Sequence, residues 1–381
     1  MKVHLNSLST FHLPSTRLKK QTNPMMPTRL IIAGGFLGAG KTTLLLRAAR
    51  LLTEQGYRVG LITNDQGEDL VDTATANQAE IPVTEVAGGC FCCRFPDLLK
   101  ALQRLAEVAQ PDIVLAEPVG SCTDLVATIL RPLAQFHPDQ FQVAPLTILH
   151  DASRDIANFP PNVHYLYEQQ LREAELIVLT KTDLLSESGQ AATLAALIER
   201  YPQASVLGVS AHTGQGLAEW LAVMLGQASR NPAALIIDYA KYAQAEAVLG
   251  WLNAKGIVRA DAPFSAASWM EQLFQTLGQR LSDQQAPIAH VKLLVTTPTG
   301  TLKASVTQSG SAPTWDLGPD DTLTEQLEFT LNARVNTEPP TLEQVVLQTI
   351  ETIKPQDRSR YYFTHFECFS PLPPEPTHRL S

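Results

Sequence analysis

Residues 35–42, with the sequence Gly-Phe-Leu-Gly-Ala-Gly-Lys-Thr, constrain the fold more than any other part of the chain. Their spacing is that of a phosphate-binding loop, in which glycines at fixed positions are followed by lysine and then by serine or threonine. An apolar run at 30–33 precedes the loop, and a helical pattern follows it and stops at Gly56. A strand, a glycine-rich turn and a helix N-terminus in this order predict a site for nucleotide phosphates.

Each residue type in this loop has its own role in phosphate binding. Glycine lets backbone N–H groups turn inward around phosphate oxygens, Lys41 supplies a positive charge to the β and γ phosphates, and the Thr42 hydroxyl is a ligand for Mg²⁺. The residues expected to contact the nucleotide here are Gly35, Gly38, Gly40, Lys41, Thr42 and Thr43.

From residue 29 onward, apolar β-rich runs alternate with helical patterns. The candidate strands lie at 30–33, 59–63, 83–86, 113–116, 146–149, 176–179 and 206–209. This alternation predicts a mostly parallel sheet with helices on both faces. We therefore expect the α/β class, with the three-layer architecture of a P-loop nucleotide hydrolase.

The pattern changes near residue 231. The later elements are expected to be helices at 240–254, 266–281 and 342–353 and strands at 289–296, 302–307 and 327–335. They predict a smaller α+β domain. The expected parts of the chain are a tail at 1–28, a P-loop domain at 29–230, an α+β domain at 231–365 and a proline-rich tail at 366–381. For the first tail, which contains no acidic residue, a translation start at Met25 or Met26 is favoured over an organellar targeting segment.

Composition narrows the classes of function. The chain has 381 residues, of which 44% are hydrophobic, and a net charge of -9. It has no run of the ~20 apolar residues that a membrane helix needs, and its scattered lysines and arginines do not form the cationic surface that nucleic acids require. Three of its five cysteines crowd into four positions, which indicates reduced thiolates rather than disulfides. We expect a cytoplasmic protein without a membrane or nucleic-acid partner.

Two segments behind consecutive predicted strands indicate which base is bound. The residues expected around the base are Thr180, Lys181, Asp183, Ser210 and Ala211. The Asp183 carboxylate can accept hydrogen bonds from the N–H donors that guanine presents and adenine lacks. These segments therefore predict GTP rather than ATP as the ligand.

The order of these motifs, from about residue 30 to residue 226, resembles the CobW/HypB/UreG family of P-loop GTPases, and the residues flanking the phosphate loop resemble its CobW branch. The resemblance implies a GTPase that acts as a metallochaperone or as a maturation factor for metalloenzymes. The domain at 231–365 is placed like the C-terminal module of CobW proteins, which is expected to dock target proteins.

Further roles follow from the resemblance. Glu117-Pro-Val-Gly120 is similar to the family's Glu-x-x-Gly, which implies that Glu117 holds Mg²⁺ or orients the attacking water and that the Gly120 N–H contacts the γ-phosphate. Asp65 is expected near Mg²⁺ and water, although the family usually has a glutamate there, and Thr180 stands where asparagine is commoner. Lys41, Glu117 and Asp65 are thus the expected catalytic residues.

Cys90, Cys92 and Cys93 form a Cys-x-Cys-Cys pattern similar to the metal motif of the same family. Thiolates are soft ligands that select Zn²⁺ or Cu(I), with Co²⁺ and Ni²⁺ as further candidates. An extended chain would place Cys93 on the opposite face from the other two, so we expect the two preceding glycines to allow a bend. Three sulfurs leave a tetrahedral ion one ligand short, and water, Cys122, a second subunit or a receiving protein can complete it.

A second group of metal-ligand types lies near the C-terminus. It consists of His365, Glu367, Cys368 and His378. Their phenylalanine neighbours favour core packing over metal binding.

The sequence therefore predicts a GTP-hydrolysing metallochaperone or metalloenzyme maturation factor that uses GTP, Mg²⁺ and Zn²⁺, or Co²⁺ or Ni²⁺ in place of zinc. Its partners would be guanine nucleotide, the transition metal and a client metalloprotein, and a homodimer is one way to complete the catalytic site. Two alternatives stay open: a nucleotide-regulated scaffold with structural zinc, and an ATP-using P-loop enzyme such as a kinase.

Overall fold

Two β-sheets organise the chain, and each carries its own core. The computed structural model describes residues 27–64, 81–86, 88–319 and 323–381. The first sheet is entirely parallel, and the second is antiparallel.

The parallel sheet has the strand order β3-β2-β4-β1-β6-β7-β8, and β5 also pairs with β1. Its strands are β1 (Thr28–Gly35), β2 (Val59–Asn64), β3 (Val83–Val86), β4 (Ile113–Ala116), β5 (Phe141–Val143), β6 (Thr147–Asp151), β7 (Leu176–Thr180) and β8 (Ser205–Gly208). The central strands are buried on both faces, which is why they appear in the sequence as continuous apolar runs.

Helices cover both faces of this sheet. They are α1 (Lys41–Glu54), α2 (Phe95–Val108), α3 (Arg131–Phe136, preceded by a π-helical turn at Val126–Leu130), α4 (Pro161–Glu173), α5 (Glu187–Arg200) and α6 (Leu217–Gly226). One core cluster lies under α1 and α6, and a second lies under α2 to α5. The predicted α/β class with three layers is thus confirmed.

The antiparallel sheet has the order β12-β11-β10-β13-β9-β14. Its strands are β9 (Gly250–Ser265), β10 (Ile288–Thr297), β11 (Gly300–Val306), β12 (Thr314–Leu317), β13 (Leu323–Val335) and β14 (Arg360–Phe369). Helices α8 (Ala266–Asp283) and α9 (Pro339–Thr352) pack on it and form a separate core.

Two predictions in this half of the chain were wrong. The helix expected at 240–254 ends early: α7 spans Tyr239–Ala247, and Gly250–Ser265 is a strand paired on both sides. The first residues of this central strand, 250–254, are all buried and lack polar alternation, so periodicity did not identify them. The strand β14, absent from the predicted elements, also runs across the expected boundary between residues 365 and 366.

Helix α7 belongs to the core of the first sheet rather than the second. Its Tyr242 and Ala245 side chains are fully buried in the cluster beneath α2 to α5. The expected boundary at 230/231 therefore differs from the packing, because this helix follows the linker but contacts the parallel-sheet domain. Residues 371–381 have no regular structure, as their prolines predicted. Within the described ranges, no helix is long and apolar enough to cross a membrane.

Candidate nucleotide and metal site

The phosphate loop turns sharply between β1 and α1. Gly38 and Gly40 adopt φ values of 78° and 88°, and Gly35 has φ 133°. A Cβ on Gly35 would lie 2.6 Å from the Leu149 carbonyl oxygen, so only glycine fits against β6 there. Helix α1 begins at Lys41, directly after the turn, and its N-terminal N–H groups face the loop.

The Lys41 side chain folds back across this loop. Its Nζ donates hydrogen bonds to the carbonyl oxygens of Gly35 at 2.9 Å and Phe36 at 3.3 Å. The residue is only 6% exposed. A positive charge is therefore held above the backbone turn, where the phosphate-binding pattern requires it.

Thr42 and Glu117 meet at the mouth of the loop. The Thr42 hydroxyl donates to Glu117 Oε1 at 3.0 Å, and both residues are buried. Gly120 lies close to the loop as well, since a Cβ there would be 3.0 Å from the Leu37 Cα. A hydroxyl and a carboxylate oxygen are ligands that suit Mg²⁺. Asp65, the other expected carboxylate, lies outside the described residues.

Thr180 connects the base-binding edge to the phosphate loop. Its hydroxyl donates to the Ala39 carbonyl oxygen at 2.8 Å and lies 3.2 Å from the His150 carbonyl oxygen. Threonine thus supplies a hydrogen-bond donor to the phosphate loop. Asp183 follows β7 and is exposed at the same edge, where its carboxylate faces the cavity.

Lys181 and Ser210 shape the rest of this edge. Lys181 has a left-handed backbone with φ 58°, and its Nζ lies 2.7 Å from Asp151 Oδ2. Burial opposes ionisation of Asp151, but the Lys181 ammonium lowers the pKa of that carboxyl overall. Ser210 is fully buried and accepts a hydrogen bond from the Thr213 N–H at 3.1 Å, while Ala211 lines the cavity.

A cavity of about 590 Å³ runs from the phosphate loop to Asp183. The residues expected at the phosphates and at the base line the same space, with the exceptions of Gly35 and Ser210 behind its wall. The antiparallel sheet also contributes to it. Its lining residues there include His290, Lys292, Lys303, Ser305, Trp315 and Asp316. Sequence reasoning missed this wall, because no motif marks those strands.

Arg154 fastens the antiparallel sheet to the phosphate loop. Its guanidinium donates to the Thr307 carbonyl oxygen at 3.0 Å, to the Ala289 carbonyl oxygen at 2.9 Å and to the Leu37 carbonyl oxygen. Nearby, the buried Lys303 Nζ lies 3.4 Å from Asp316 Oδ2. The two sheets therefore meet at the nucleotide cavity.

The cavity is rich in cations. Burial lowers the pKa of His290 well below its usual range, and Lys292, Arg154, Lys181 and Lys41 lower it further. A histidine that faces so many positive groups favours its neutral form. The cluster of cations suits a polyanionic ligand such as a nucleotide triphosphate.

The three motif cysteines converge in the loop after β3. Gly88 and Gly89 have φ values of 74° and 152°, which provides the expected bend. The Sγ–Sγ separations are 2.7 Å for Cys90 and Cys92, 3.2 Å for Cys90 and Cys93, and 3.7 Å for Cys92 and Cys93. Sulfurs bound tetrahedrally to zinc at about 2.3 Å are separated by about 3.8 Å. The three thiols therefore need to move apart by about 1 Å or less to hold such an ion.

One thiol of the cluster, Cys90, has a lowered pKa. The neighbouring thiols of Cys122, Cys92 and Cys93 lower the pKa of Cys90 well below its usual range, although burial opposes the shift. The hydrogen bond to Cys90 raises the pKa of Cys93 to about 12. A single thiolate surrounded by thiol donors is an attractive site for a soft cation.

Asn64 joins the two sites. It ends β2 and lines the nucleotide cavity. Its Nδ2 donates to the carbonyl oxygens of Val86 at 2.8 Å and Gly89 at 2.7 Å, and its Oδ1 accepts from the Phe91 N–H at 2.9 Å. The buried Asn64 amide therefore contacts the cysteine loop on both sides, and its strand, β2, ends at the nucleotide cavity.

The C-terminal segment, residues 371–381, lies over the cysteine loop. The Thr377 N–H donates to the Cys92 carbonyl oxygen at 2.9 Å, and the Glu375 N–H donates to Cys93 Sγ at 3.2 Å. We call this segment the C-terminal strap. Sequence reasoning treated it as a tail, and proline content alone gave no signal of its contacts.

The second group of metal-ligand types is not gathered into a site. Among the described residues, the one group of three or more potential ligand atoms within 4.8 Å of one another is Cys90, Cys92 and Cys93. His378 packs its ring against Phe95, with ring centroids 5.1 Å apart, whereas its expected companions lie on β14. Core packing is thus the better explanation of His365, Glu367, Cys368 and His378.

A parallel sheet with this loop at its central strand defines a P-loop nucleotide-binding protein, here with a thiol cluster beside the nucleotide cavity. The family model described as "CobW/HypB/UreG, nucleotide-binding domain" matches residues 29–207. The nucleotide-binding domain of this chain therefore belongs to the CobW/HypB/UreG family of P-loop GTPases.

Curated relatives support the assignment. The Sinorhizobium "Zinc chaperone CobW" is 30% identical, over 41% of this chain and 51% of its own length. The protein of the same name from Pseudomonas aeruginosa is 29% identical, over 53% and 62%. The Escherichia coli "Zinc chaperone YjiA" is 30% identical, over 43% and 52%. The chain thus spans between half and two thirds of the length of these three curated relatives.

Proposed function

We propose that this protein is a GTP-hydrolysing metallochaperone that carries a transition metal on the cysteine loop and changes its hold on the metal with the state of the nucleotide. The observation that supports this proposal best is the position of Asn64, which holds the cysteine loop by three hydrogen bonds and lines the nucleotide cavity. Contacts that order loops around a γ-phosphate would reach the thiols through this side chain.

The proposed nucleotide chemistry uses the residues at the mouth of the cavity. Lys41 neutralises the β and γ phosphates, Thr42 and Glu117 hold Mg²⁺ together with Asp65, and the Gly120 N–H contacts the γ-phosphate. Bound Mg²⁺ offsets the negative charge of the phosphates. Asp183 recognises guanine, and Thr180 keeps the phosphate loop in place through its bond to Ala39.

Zinc is the metal that we propose, with cobalt and nickel as alternatives. A cluster of thiolates favours zinc, and three relatives carry the name zinc chaperone. We further propose that the protein works in the reducing cytoplasm, delivers the metal to a client metalloprotein and uses the antiparallel-sheet domain to dock it. A homodimer is a further proposed assembly.

A Co²⁺ titration of the reduced protein tests the function. The thiolate-to-metal absorption band is followed with Mg²⁺ and a non-hydrolysable GTP analogue, and again with Mg²⁺ and GDP. We expect a band in both states, with midpoints that differ. Identical midpoints would instead support a scaffold whose zinc is structural, and absence of the band would exclude metal binding by this loop.

Nucleotide competition tests the choice of base. A labelled GTP analogue should be displaced by GTP and GDP at concentrations at least about tenfold below those of ATP, because the Asp183 carboxylate can accept two hydrogen bonds from the adjacent N1–H and N2–H groups of guanine, a pair that adenine does not present. Equal displacement by ATP would favour an ATP-using enzyme. The substitution Asp183→Ala should remove the preference without preventing phosphate binding.

A further inference from the structure

The C-terminal strap is paired with the cysteine loop mainly through backbone groups. The Thr377 N–H bonds to the Cys92 carbonyl oxygen and the Glu375 N–H bonds to the Cys93 sulfur, and the Thr377 hydroxyl also donates to the Cys93 carbonyl oxygen at 3.1 Å. Three hydrogen bonds thus connect two strap residues to two adjacent cysteines. One of them ends on a proposed metal ligand, so the Glu375 N–H is placed as an outer-shell donor to that sulfur.

Beyond these contacts, the strap is anchored to the parallel-sheet domain. The Arg379 Nε lies 2.7 Å from Asp124 Oδ2, and the Asp124 side chain is only 1% exposed. The Leu380 N–H donates to the Ala127 carbonyl oxygen at 2.9 Å. This anchor keeps residues 375–377 at a defined position on the cysteine loop.

The strap lies on the side of the loop where a thiol is accessible. Cys90 and Cys92 are 3% and 1% exposed, whereas Cys93 is half-buried. The strap packs its Pro371 and Pro374 side chains into buried positions. Exchange of a zinc ligand requires an open coordination position that the incoming ligand can reach. A segment bonded to Cys93 therefore lies in the path of such a ligand.

The strap also has the features of a segment that opens locally. It has no regular structure, and its exposed residues are those at positions 372, 373, 375, 377, 379 and 381. Its bonds to the cysteine loop are therefore made by exposed residues, whereas strand β1 is almost entirely buried. Segments with few buried contacts and exposed hydrogen bonds open at a lower free energy than the core does.

We propose that the C-terminal strap is a cover for the metal site, which opens without unfolding of the domain and sets the rate at which the metal enters and leaves. The proposal rests on the metallochaperone function proposed above. In the closed state the strap donates a hydrogen bond to the Cys93 sulfur and excludes competing ligands. A client has to displace the strap before its own ligands reach the metal, which limits loss of the metal to other acceptors.

The first test compares two substitutions at one position. Glu375→Pro removes the N–H that donates to Cys93, and proline is compatible with the extended backbone that Pro376 imposes there. Glu375→Ala keeps the N–H and is the matched control. In the reduced, metal-free protein, alkylation of Cys93 should be about threefold to tenfold faster in Glu375→Pro, as expected for loss of one hydrogen bond, and unchanged in Glu375→Ala. Peptide mass spectrometry measures the rates, with the half-buried Cys368 as internal reference.

A larger change removes the cover itself. Deletion of residues 375–381 eliminates the hydrogen bonds of the strap to the cysteine loop and keeps the buried Pro371 and Pro374. Alkylation of Cys93, and removal of Co²⁺ from the loaded protein by a chelator, should both accelerate by more than about tenfold, because at least three hydrogen bonds are lost. Binding of the GTP analogue verifies that the shortened protein is folded.

The anchor gives an independent variant. Arg379→Ala removes the ion pair with Asp124 and should accelerate both processes in the same direction as the deletion. The control is Arg172→Ala, which removes an exposed ion pair on α4 and should change neither rate.

Hydrogen exchange tests the opening directly. In the original protein, the Thr377 and Leu380 amides should exchange faster than those of β1, through an opening that is insensitive to low concentrations of denaturant. The proposal is wrong if these amides exchange only on global unfolding. It is also wrong if the deletion variant binds the GTP analogue and retains the original rates of alkylation and Co²⁺ removal.

The alkylation measurement uses no metal, so it separates this proposal from the proposed function. An absent cobalt band would overturn the metallochaperone function, and faster alkylation of the deletion variant would then still identify the strap as a cover of the thiols.

Discussion

The nucleotide cavity and the cysteine pocket are built in opposite ways. The phosphate end of the cavity is formed by one continuous segment, residues 35–42, whose backbone N–H groups face the ligand and whose conformation depends on local glycines. The cysteine pocket is assembled from distant places: the loop after β3 carries the thiols, Asn64 at the end of β2 holds that loop, and the C-terminal strap lies over it. A site made of backbone can be recognised from a short motif, whereas a site made of converging side chains requires the whole fold.

The two pockets also differ in what closes them. The antiparallel sheet covers the cavity with lysines and remains polar, while the cysteine pocket is closed by apolar packing and by the strap. Loss of a residue on one side should therefore affect one ligand strongly and the other weakly, except at residues that connect the two.

Substitution of Lys41 should give the largest difference between the effect on the nucleotide cavity and the effect on the cysteine pocket. Lys41→Ala is expected to reduce GTP hydrolysis by about 100-fold or more, because the charge that stabilises the transferred phosphate is lost, while Co²⁺ binding in the absence of nucleotide is unchanged. Phosphate release and the cobalt band measure the two effects. Lys100→Ala, at an exposed position on α2, is the control. Equal loss of both ligands would mean that the substitution unfolds the domain.

Asn64→Ala should break the connection itself. The substitution removes three hydrogen bonds and leaves buried backbone groups without their partners, so we expect a loss of about 1–3 kcal/mol in the free energy of unfolding. Metal affinity should weaken, and its dependence on nucleotide should disappear. Chemical denaturation and cobalt titration measure these changes, with the exposed Asn162→Ala as control. A preserved nucleotide dependence would show that another route connects the pockets.

Lys303 tests whether the antiparallel sheet contributes to nucleotide binding. Lys303→Met keeps most of the apolar stem and removes the charge beside the cavity, so affinity for the GTP analogue should fall by about tenfold, with a weaker dependence on salt. Metal affinity should not change. Lys354→Met, an ion-paired lysine away from the cavity, is the control. Unchanged nucleotide affinity would restrict the role of this sheet to packing.

Glu173 should have the smallest effect on the two ligands, and its contribution should appear as a dependence of stability on pH. Burial, and to a lesser extent the nearby Asp124, raises the pKa of Glu173 from 4.5 to about 8. The Glu173 carboxyl accepts a hydrogen bond from the Thr123 hydroxyl. Because the folded protein retains this proton, the stabilisation is complete below pH 4.5 and is lost as the pH rises toward 8. The slope should be at most about 1.4 kcal/mol per pH unit.

Thermal unfolding of Glu173→Gln measures this contribution. It is followed from pH 5 to pH 8, which covers about the interval between the two pKa values. The amide mimics the protonated acid, so the variant should be less sensitive to pH than the original protein, with the greatest gain at pH near 8. An identical pH profile for both proteins would contradict the assignment.

Elements with strong periodicity or fixed motifs were predictable from the sequence, and elements defined by contacts were not. Seven of the eight strands of the parallel sheet, the phosphate loop and the bend before Cys90 follow from local patterns, whereas the short edge strand β5 was not predicted. Strand β9 did not, because its buried beginning lacks alternation, and α7 was placed with the wrong sheet because a linker does not reveal which core a helix will join.

The sequence by itself determined the class of the protein: glycine spacing, Lys41 and Thr42 define the phosphate site, and three crowded cysteines predict a soft-metal loop, because backbone conformation and ligand chemistry are local properties. Only the tertiary structure decided that Asn64 holds their loop and that Lys303 lines the nucleotide cavity. These residues are far apart in the chain, and their proximity arises from strand order and core packing, which no short segment encodes.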